Sequence, residues 1–377
     1  MKTIVILGGY GNTGREVARL LLEHTDVRIV LAGRNGERAA QAADEWNKRF
    51  PGERARGLAA DASSPESLRR SFAGADLVVV ASSTSPHVAS VATAALEAGL
   101  DYMDPHYSTG KHAVLRDLAP RIEATGRCFI TDAGFHPGLP AALVRFAARR
   151  LDPLRSARVA SVIQIDWAAL ELSPATLDEL VAEFREYKAI HYVDGHWKSM
   201  NWLEMMLPVW FQFDHGFGRR YAMPMFLEEL RPLPDLIRGL QATGFYVGGF
   251  NWFVDWIILP IGMGLLWAAP RRGPRLVSRM MLWGLERFGR PPYGTLLKLE
   301  AKGLRNGAES EMTVTVYHAD GYVLTAAPMV ACLLQVLDGT ARRPGLHFQA
   351  LLAEPERMLS DMKRMGVEVT ILEASSG

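Results

Sequence analysis

A short apolar run, Thr-Ile-Val-Ile-Leu at Thr3–Leu7, leads into the glycine-rich sequence Gly8-Gly9-Tyr10-Gly11-Asn12-Thr13-Gly14. Arg15–Glu23 then carries apolar residues at helical spacing, and a second apolar run, Val27–Ala32, ends in Gly33-Arg34. This order of strand, glycine turn, helix and strand is typical of a dinucleotide-binding unit. We therefore expect the chain to be built around a nucleotide site.

The spacing of the glycines gives a physical reason for this expectation. Gly9, Gly11 and Gly14 fit G-x-G-x-x-G, in which the early glycines let the backbone approach a pyrophosphate and the last lets the helix pack closely. Amides at the helix start, with the helix dipole, attract phosphate. The residues expected to hold the cofactor are Gly8, Gly9, Tyr10, Gly11, Asn12, Thr13 and Gly14. The alternative is a glycine-rich turn that binds nothing.

The end of the second strand sets the expected cofactor. An acid there would hold the ribose 2′-hydroxyl of NAD, whereas a nearby arginine accommodates the 2′-phosphate of NADP. The chain carries Gly33-Arg34 and has no acid before Glu37. Because an arginine fork suits phosphate, we expect NADP(H) to be preferred over NAD(H). The alternative for Arg34 is a solvated residue at a helix start.

Strands and helices alternate through the first third of the chain and predict an α/β fold with a Rossmann-like, doubly wound parallel sheet. Asp76–Ala81 is a continuous apolar run, as expected of a parallel strand buried on both faces. Ala81, Ser82 and Ser83 follow at its carboxyl end, where ligands bind in such sheets. Asp61 follows the third strand, where it would meet the adenine amino group or serve as a plain turn residue.

The composition excludes several classes of protein. A chain of 377 residues suggests two domains, and a net charge of +1 argues against a nucleic-acid partner. The two cysteines and ten histidines form no metal-binding spacing and no disulfide framework. The apolar strand starts at Thr3, which leaves no room for a signal peptide. A cytoplasmic protein without a metal is therefore expected.

Two loops at the carboxyl ends of the fifth and sixth strands hold the candidate proton donors. The first loop carries Asp104, His106 and Tyr107, and the second carries Asp132 and His136. Hydride transfer needs no metal or nucleophile, because the cofactor carries the reaction and the protein supplies position and a proton. Histidine is the usual proton carrier near neutral pH, which favours His136 and His106. The alternative for each histidine is an imidazole that is hydrogen-bonded to loop backbone. In that case Tyr107 or a bound water would donate the proton.

Several motifs resemble the saccharopine dehydrogenase/reductase-like oxidoreductases. They are the glycine turn, Ala32-Gly33-Arg34, Asp61, Ala94–Asp104, Ala133–Gly138, Asp320–Tyr322, Leu324–Pro328, Leu337–Gly339, Pro344-Gly345, Pro355-Glu356 and Met365–Val367. The resemblance covers about residues 1–150 and 300–377. It implies an NAD(P) domain at 1–135 to which 323–377 returns, and a second α+β domain at 136–322 on an open mixed or antiparallel sheet.

The resemblance leaves the substrate open, because the family includes imine reductases and trans-acting enoyl reductases of polyketide-lipid assembly. Saccharopine reductases usually carry an acid at the position of His136, and the sequence shows no arginine set for a dicarboxylate amino acid. We therefore expect hydride transfer to a C=C, C=N or C=O bond of a hydrophobic or lipid-like substrate. The alternatives are a membrane-associated nucleotide-binding protein without turnover, and a soluble amino-acid or polyamine imine reductase.

A tryptophan-rich insertion occupies about residues 190–295, where the family resemblance fades. Seven of the nine tryptophans lie between Trp197 and Trp283. Gly239–Pro270 carries a single formal charge, Asp255. This concentration of apolar residues sets the middle of the chain apart from both ends.

The densest apolar segment, Trp256–Ala269, is too short to span a bilayer, which takes about twenty apolar residues. A basic segment follows it, with Arg271, Arg272, Arg275, Arg279, Arg287 and Arg290. Three interpretations remain open for about residues 245–290: a peripheral contact with lipid at the inner face of a membrane, a pocket or homodimer surface, or plain core. Before the insertion, Pro174–Tyr187 is expected to be helical.

Overall fold

The computed structural model describes residues 1–82, 84–167, 187–201, 204, 209–269 and 273–375. The helix expected over Pro174–Tyr187 lies outside these ranges except for its last residue. The described chain divides into two units, residues 1–142 with 322–366, and residues 143–321 with 367–377.

Parallel strands and the helices between them make up the first unit. Its strands are β1 (Thr3–Leu7), β2 (Arg28–Gly33), β3 (Ala55–Ala59), β4 (Leu77–Val80), β5 (Asp101–Met103), β6 (Cys128–Thr131) and β15 (Gly345–Phe348). Its helices are α1 (Asn12–His24), α2 (Gly36–Arg49), α3 (Pro65–Phe72), α4 (Val88–Glu97), α5 (Thr109–Ala124), α6 (Pro140–Ala148, which runs into the second unit), α10 (Gly321–Leu337), α11 (Gln349–Leu352) and α12 (Pro355–Arg364).

The order of the strands in this sheet is β15-β6-β5-β4-β1-β2-β3, and all neighbours are parallel. The run from β3 to β6 is the order of a dinucleotide-binding sheet, with its reversal between β1 and β4. The central strands are apolar throughout because helices cover both faces. The predicted doubly wound parallel sheet is therefore confirmed.

The C-terminal segment adds a seventh strand to this sheet. β15 pairs in parallel with β6, and the guanidinium of Arg342 binds both carboxylate oxygens of Asp101 at 2.7 and 3.1 Å. Residues 367–377 belong to the second unit. The expectation that all of 323–377 returns to the first domain is therefore wrong for this last part. In this part Val367 and Val369 are buried and alternate with exposed residues. This pattern suits an antiparallel strand with one solvent-exposed face.

The second unit is a mixed sheet, as expected. Its strands are β7 (Leu154–Gln164), β8 (Ile190–Val193), β9 (His196–Ser199), β10 (Val209–Phe213), β11 (Gly218–Met225), β12 (Ala242–Gly248), β13 (Gly294–Arg305), β14 (Ala308–His318) and β16 (Glu368–Ser375). The main order is β10-β11-β12-β7-β13-β14-β16, with β8 paired to β12 and β9. Only β12 and β7 run parallel among these pairs. The boundary between the units falls after Ala142 and not after residue 135 as expected.

Helices complete the second unit within the described ranges. They are α7 (Leu233–Leu236), a π-helical turn (Val254–Ile258) that continues into α8 (Leu259–Ala268), and α9 (Gly273–Phe288). The tryptophan-rich stretch thus folds as a hairpin of helices, which we call the helical hairpin (residues 251–269 and 273–288). None of the helices in the described ranges has the length and apolar character to cross a bilayer.

Candidate cofactor and catalytic site

The glycine turn lies at the carboxyl end of β1, beside the reversal in strand order. Gly8 has a φ of +88°, and a Cβ there would lie 2.6 Å from the Cβ of Ser82. A Cβ on Gly14 would lie 2.2 Å from the carbonyl oxygen of Gly8. The backbone would have to move to admit a side chain at either position. The helix therefore packs at Gly14 as closely as the spacing predicts, and the approach of the early glycines to a pyrophosphate stays a prediction.

The start of α1 fits an anion. The first intrahelical bond runs from the N–H of Arg15 to the carbonyl of Gly11 at 2.8 Å, so the amides of Asn12, Thr13 and Gly14 precede it. The first turn carries no acid, and no side chain caps it. No carboxylate in the first turn of α1 competes with a bound anion for these amides. The positive end of the helix therefore suits the pyrophosphate of a dinucleotide.

A surface pocket of about 850 Å³ adjoins this turn and is lined by Tyr10, Arg34, Asn35, Gly36, Glu37 and Arg38. The Tyr10 hydroxyl accepts the N–H of Asn35 at 3.1 Å, and the guanidinium of Arg38 lies 5.2 Å from the centre of the Tyr10 ring. A Cβ on Gly33 would lie 2.5 Å from that ring. A side chain at position 33 would therefore require the Tyr10 ring to move.

Arg38 is a cation of this pocket that was not expected from the sequence. Its backbone N–H donates to the side chain of Asn35 at 2.9 Å, which caps α2. Arg38 stands four residues after Arg34, and that spacing is the signal that could have revealed it.

The other expected cofactor residues flank the turn. Ala81 donates its N–H to Leu7 at 2.8 Å, and Ser82 stands against Gly8. Ser83 lies outside the described residues. The exposed carboxylate of Asp61 accepts the hydroxyl and the N–H of Ser63 at 2.7 and 2.9 Å, and these bonds lower its pKa. Asp61 therefore closes a turn, and its contact with adenine stays a prediction.

A buried ion cluster joins the ends of β5 and β6. The ammonium of Lys111, in the first turn of α5, lies 2.7 Å from Asp104 Oδ1 and 2.8 Å from Asp132 Oδ1. His112 Nε2 lies 2.8 Å from the same oxygen of Asp132, and the hydroxyl of Thr131 donates to Asp104 Oδ2 at 3.1 Å. We call Asp104, Lys111, His112 and Asp132 the Lys111 cluster.

The cluster keeps both acids ionised. Burial alone would raise their pKa values, but the charge of Lys111 lowers the pKa of Asp104 and of Asp132 below the usual range. Burial alone would lower the pKa of Lys111, and the two carboxylates raise it. Carboxylates already deprotonated at neutral pH are poor proton donors, so we interpret Asp104 and Asp132 as positioning groups. Lys111 and His112 were missed because only the folded loops bring them to the acids.

His106 bridges two loops at the carboxyl edge of the sheet. Its Nε2 lies 2.7 Å from the carbonyl of Ser82, and its own carbonyl accepts a hydrogen bond from Lys111. Its N–H donates to Asp104 Oδ1 at 3.1 Å. The imidazole is thus bound to loop backbone, which is the alternative raised from the sequence. Tyr107, which follows it, is partly buried. Catalytic roles for His106 and Tyr107 stay predictions.

His136 occupies the loop after β6. Its ring packs against Phe135 with 4.3 Å between ring centres, and its Nε2 atom is buried. Gln349 donates to the carbonyl of Gly134 at 3.3 Å and closes the loop from the side of α11. Burial lowers the pKa of His136 to about 4. At pH 7 the imidazole is neutral, so it can donate or accept a hydrogen bond but carries no surplus proton.

Titration of His136 is expected to occur near pH 4. Because its folded pKa lies below the ordinary value of about 6.5, the neutral side chain contributes stability above pH 6.5. This contribution is lost as the pH falls from 6.5 through 4. The measurement is NMR of ring-labelled histidine, with a His136→Gln variant for assignment and the exposed His196 as the reference. Titration of His136 near pH 6.5 would contradict the assignment of a desolvated ring.

Residues 4–130 match the sequence model of the saccharopine dehydrogenase NADP binding domain. A comparison with curated proteins finds no significant match. Apo saccharopine dehydrogenase (L-Glu forming) from Saccharomyces cerevisiae superposes with a TM-score of 0.74 at 14% identity, over 99% of this chain and 100% of that chain. This likeness shows that the two proteins share their fold.

Two other solved structures are similar at a coarser level. Biliverdin reductase from Synechocystis, in complex with biliverdin and NADP+, gives a TM-score of 0.41 at 13% identity, over 96% of each chain. GenD2 from gentamicin A biosynthesis, in complex with NAD, gives 0.43 at 13% identity, over 100% of this chain and 96% of that one. Both scores are too low to bear on function.

Proposed function

We propose that the chain is a saccharopine dehydrogenase-like NAD(P)-dependent oxidoreductase that uses NADPH to reduce a C=C, C=N or C=O bond of a hydrophobic or lipid-like substrate. The observation that carries the proposal is the glycine turn. It combines two close backbone approaches with an uncapped helix start at the reversal of the sheet. When bound, the cofactor supplies the hydride.

The pocket beside Tyr10 supports NADP(H) over NAD(H). Arg34 and Arg38 line it, and the Tyr10 ring packs against Gly33, where the ring would have to move to admit an acid. Two guanidinium groups suit a 2′-phosphate, whereas NAD offers them only hydroxyls. Glu37 also lines the pocket and opposes them, which leaves one net positive charge for the phosphate.

The loops at the carboxyl edge of the sheet support an apolar substrate. The ammonium of Lys111 forms ion pairs with two carboxylates and donates a hydrogen bond to a backbone carbonyl. His136 is neutral at pH 7 because burial lowers its pKa to about 4. Neither Lys111 nor His136 therefore offers an unneutralised positive charge to an acidic amino-acid substrate. His136 and Tyr107 remain the candidates for orienting the reducible group.

Turnover with fractionated cell extract tests this substrate class. The protein is incubated with NADPH and either a chloroform-soluble or a water-soluble metabolite fraction, and loss of NADPH absorbance is followed. Oxidation driven by the chloroform-soluble fraction supports the proposal. Oxidation driven only by the water-soluble fraction supports a soluble imine reductase, and tight NADPH binding without oxidation in either fraction supports a protein that binds the nucleotide without turnover.

Replacing Arg34 with alanine is expected to weaken NADPH binding by about 10- to 100-fold, because charge-assisted bonds of about 1.5–3 kcal/mol are lost. NADH binding should change by less than about threefold, since NADH has no 2′-phosphate. Calorimetry with both nucleotides gives the two dissociation constants for each variant. The matched control is Arg28→Ala, at the opposite end of β2. Equal losses for NADPH and NADH in Arg34→Ala would argue against the assigned 2′-phosphate contact.

A further inference from the structure

The helical hairpin has a packed interior. Val254, Ile258, Val277, Met281 and Leu285 are buried together between its helices. Glycine allows the close fit, because a Cβ on Gly262 would lie 3.2 Å from Val277 and one on Gly284 would lie 2.5 Å from Ile258. The interpretation of residues 245–290 as plain core therefore applies only to the side of the hairpin where its helices pack together.

Polar contacts fix the base of the hairpin to the sheet. The carboxylate of Asp255 accepts the N–H of Phe250 at 3.0 Å and the hydroxyl of Tyr221, which lies on β11. Asn251 caps the first turn by accepting the N–H groups of Phe253 and Val254 at 3.1 and 3.0 Å. The hairpin is thus held at its base, and its outer face is presented in a defined orientation.

The outer face is apolar and exposed. α8 carries no charged residue, and Gly262 is its one buried position. Trp256 in the π-helical turn is 53% exposed. Met263 and Trp267 on α8 are 57% and 88% exposed, and their spacing of four residues places these two on one side. Isolated exposed apolar residues need no explanation, but a contiguous aromatic patch on a helix marks an interaction surface.

The second helix adds positive charge to this surface. Leu276, Arg279, Trp283 and Arg287 are exposed and follow each other at intervals of three or four residues along α9. Neither arginine forms an ion pair within the part of the chain that the structure describes, and Glu286 is the one acid of the helix. The side chains of Arg271, Arg272 and Arg275 lie outside the described residues. Tryptophan and arginine on one stripe match the headgroup region of a bilayer.

We propose that the helical hairpin docks the protein on an anionic lipid bilayer, with the outer face of α8 inserted at the headgroup boundary and Arg279 and Arg287 against lipid phosphates. The charge decides between the occupants of this face. A second copy of the chain would bring the same arginines against each other around a two-fold axis, whereas an anionic leaflet complements them. The short length of α8 fits a helix that lies in the interface and does not cross it.

Vesicle co-sedimentation of the full chain with NADPH tests the proposal. Vesicles of phosphatidylcholine alone are compared with vesicles that contain 30% phosphatidylglycerol, at low and high salt. The protein is expected to bind the anionic vesicles and to be released as salt screens the arginines. Light scattering of the same sample measures the oligomeric state, and calorimetry confirms NADPH binding in every variant, which separates docking from the proposed function.

Two pairs of substitutions separate the apolar and ionic contributions. Arg279→Gln with Arg287→Gln is expected to weaken binding to anionic vesicles by about fivefold per arginine, with little change for neutral vesicles. Trp256→Ser with Trp267→Ser is expected to weaken binding to both compositions by about tenfold or more. The controls are Leu372→Ser and Arg238→Gln, which are exposed outside the hairpin.

Two outcomes would overturn the proposal. One is a protein that binds NADPH but sediments with neither vesicle. The other is a dimer that Trp256→Ser with Trp267→Ser converts into monomer, in the absence of vesicle binding, because the outer face would then be covered by a second copy of the chain.

Discussion

Replacing Gly8 with alanine is expected to weaken NADPH binding by about 100-fold or more. The new methyl group would lie 2.6 Å from the Cβ of Ser82 and 2.7 Å from the carbonyl oxygen of Ala81. The φ of +88° adds strain that only glycine escapes. Overpacking of about 1–3 kcal/mol and backbone strain of about 1 kcal/mol must be relieved by moving the turn away from the phosphates.

Calorimetry with NADPH measures this loss, and circular dichroism shows that the variant remains folded. Gly99→Ala is the matched control, because Gly99 also has a left-handed φ, +69°, but its Cβ would meet nothing within 4 Å. Gly99→Ala should bind NADPH with wild-type affinity. It should lose only the folding stability that the strain of an alanine at positive φ costs. Similar NADPH affinity in Gly8→Ala and wild type would show that the phosphates do not depend on the close approach at this turn.

Replacing Lys111 with methionine is expected to lower the free energy of unfolding by about 3–5 kcal/mol. The ammonium lies within 2.8 Å of two buried carboxylates, and methionine leaves both without their cation. Their mutual repulsion and the cost of burial would then raise the pKa of Asp104 and of Asp132. A buried ion pair as such adds little net stability. The large loss of stability comes from leaving two buried carboxylates without a cation.

Urea denaturation followed by circular dichroism measures the change for the full chain. The matched control is Lys2→Met, which removes an exposed lysine paired with Asp76 at 2.7 Å and should cost less than about 1 kcal/mol. In the wild type, the stability that Asp104 and Asp132 contribute is present above pH 4 and is lost as the pH falls below it, because their folded pKa values are lowered. Equal losses for the two lysine variants would contradict the buried cluster.

Local spacing was enough to predict the first sheet and its glycine turn. The residues of G-x-G-x-x-G lie within seven positions of each other, and the strands on either side are short apolar runs whose neighbours follow from the alternation of strand and helix. Gly8, Gly14 and Ser82 meet because the order of the strands brings the ends of β1 and β4 together. Such contacts follow from topology once the fold class is known.

Contacts between distant segments could not be predicted. Lys111 reaches Asp104 and Asp132 from the first turn of a helix, and no sequence spacing encodes that meeting. Burial of His136 lowers its pKa to about 4, whereas the sequence suggested a proton carrier near neutral pH. Apolar residues of the hairpin could equally have faced inward, because an apolar helix shows no preferred face until its partner is known.

Transfer of deuterium from NADPH is the most direct test of the proposed reaction. The full chain is incubated with NADPH deuterated on either face of the nicotinamide and with cell extract, and mass spectrometry follows the label. The proposed function predicts deuterium in a new C–H bond of one apolar metabolite, from one face of the cofactor alone. Absence of any labelled product, under conditions in which calorimetry shows NADPH bound, would contradict it.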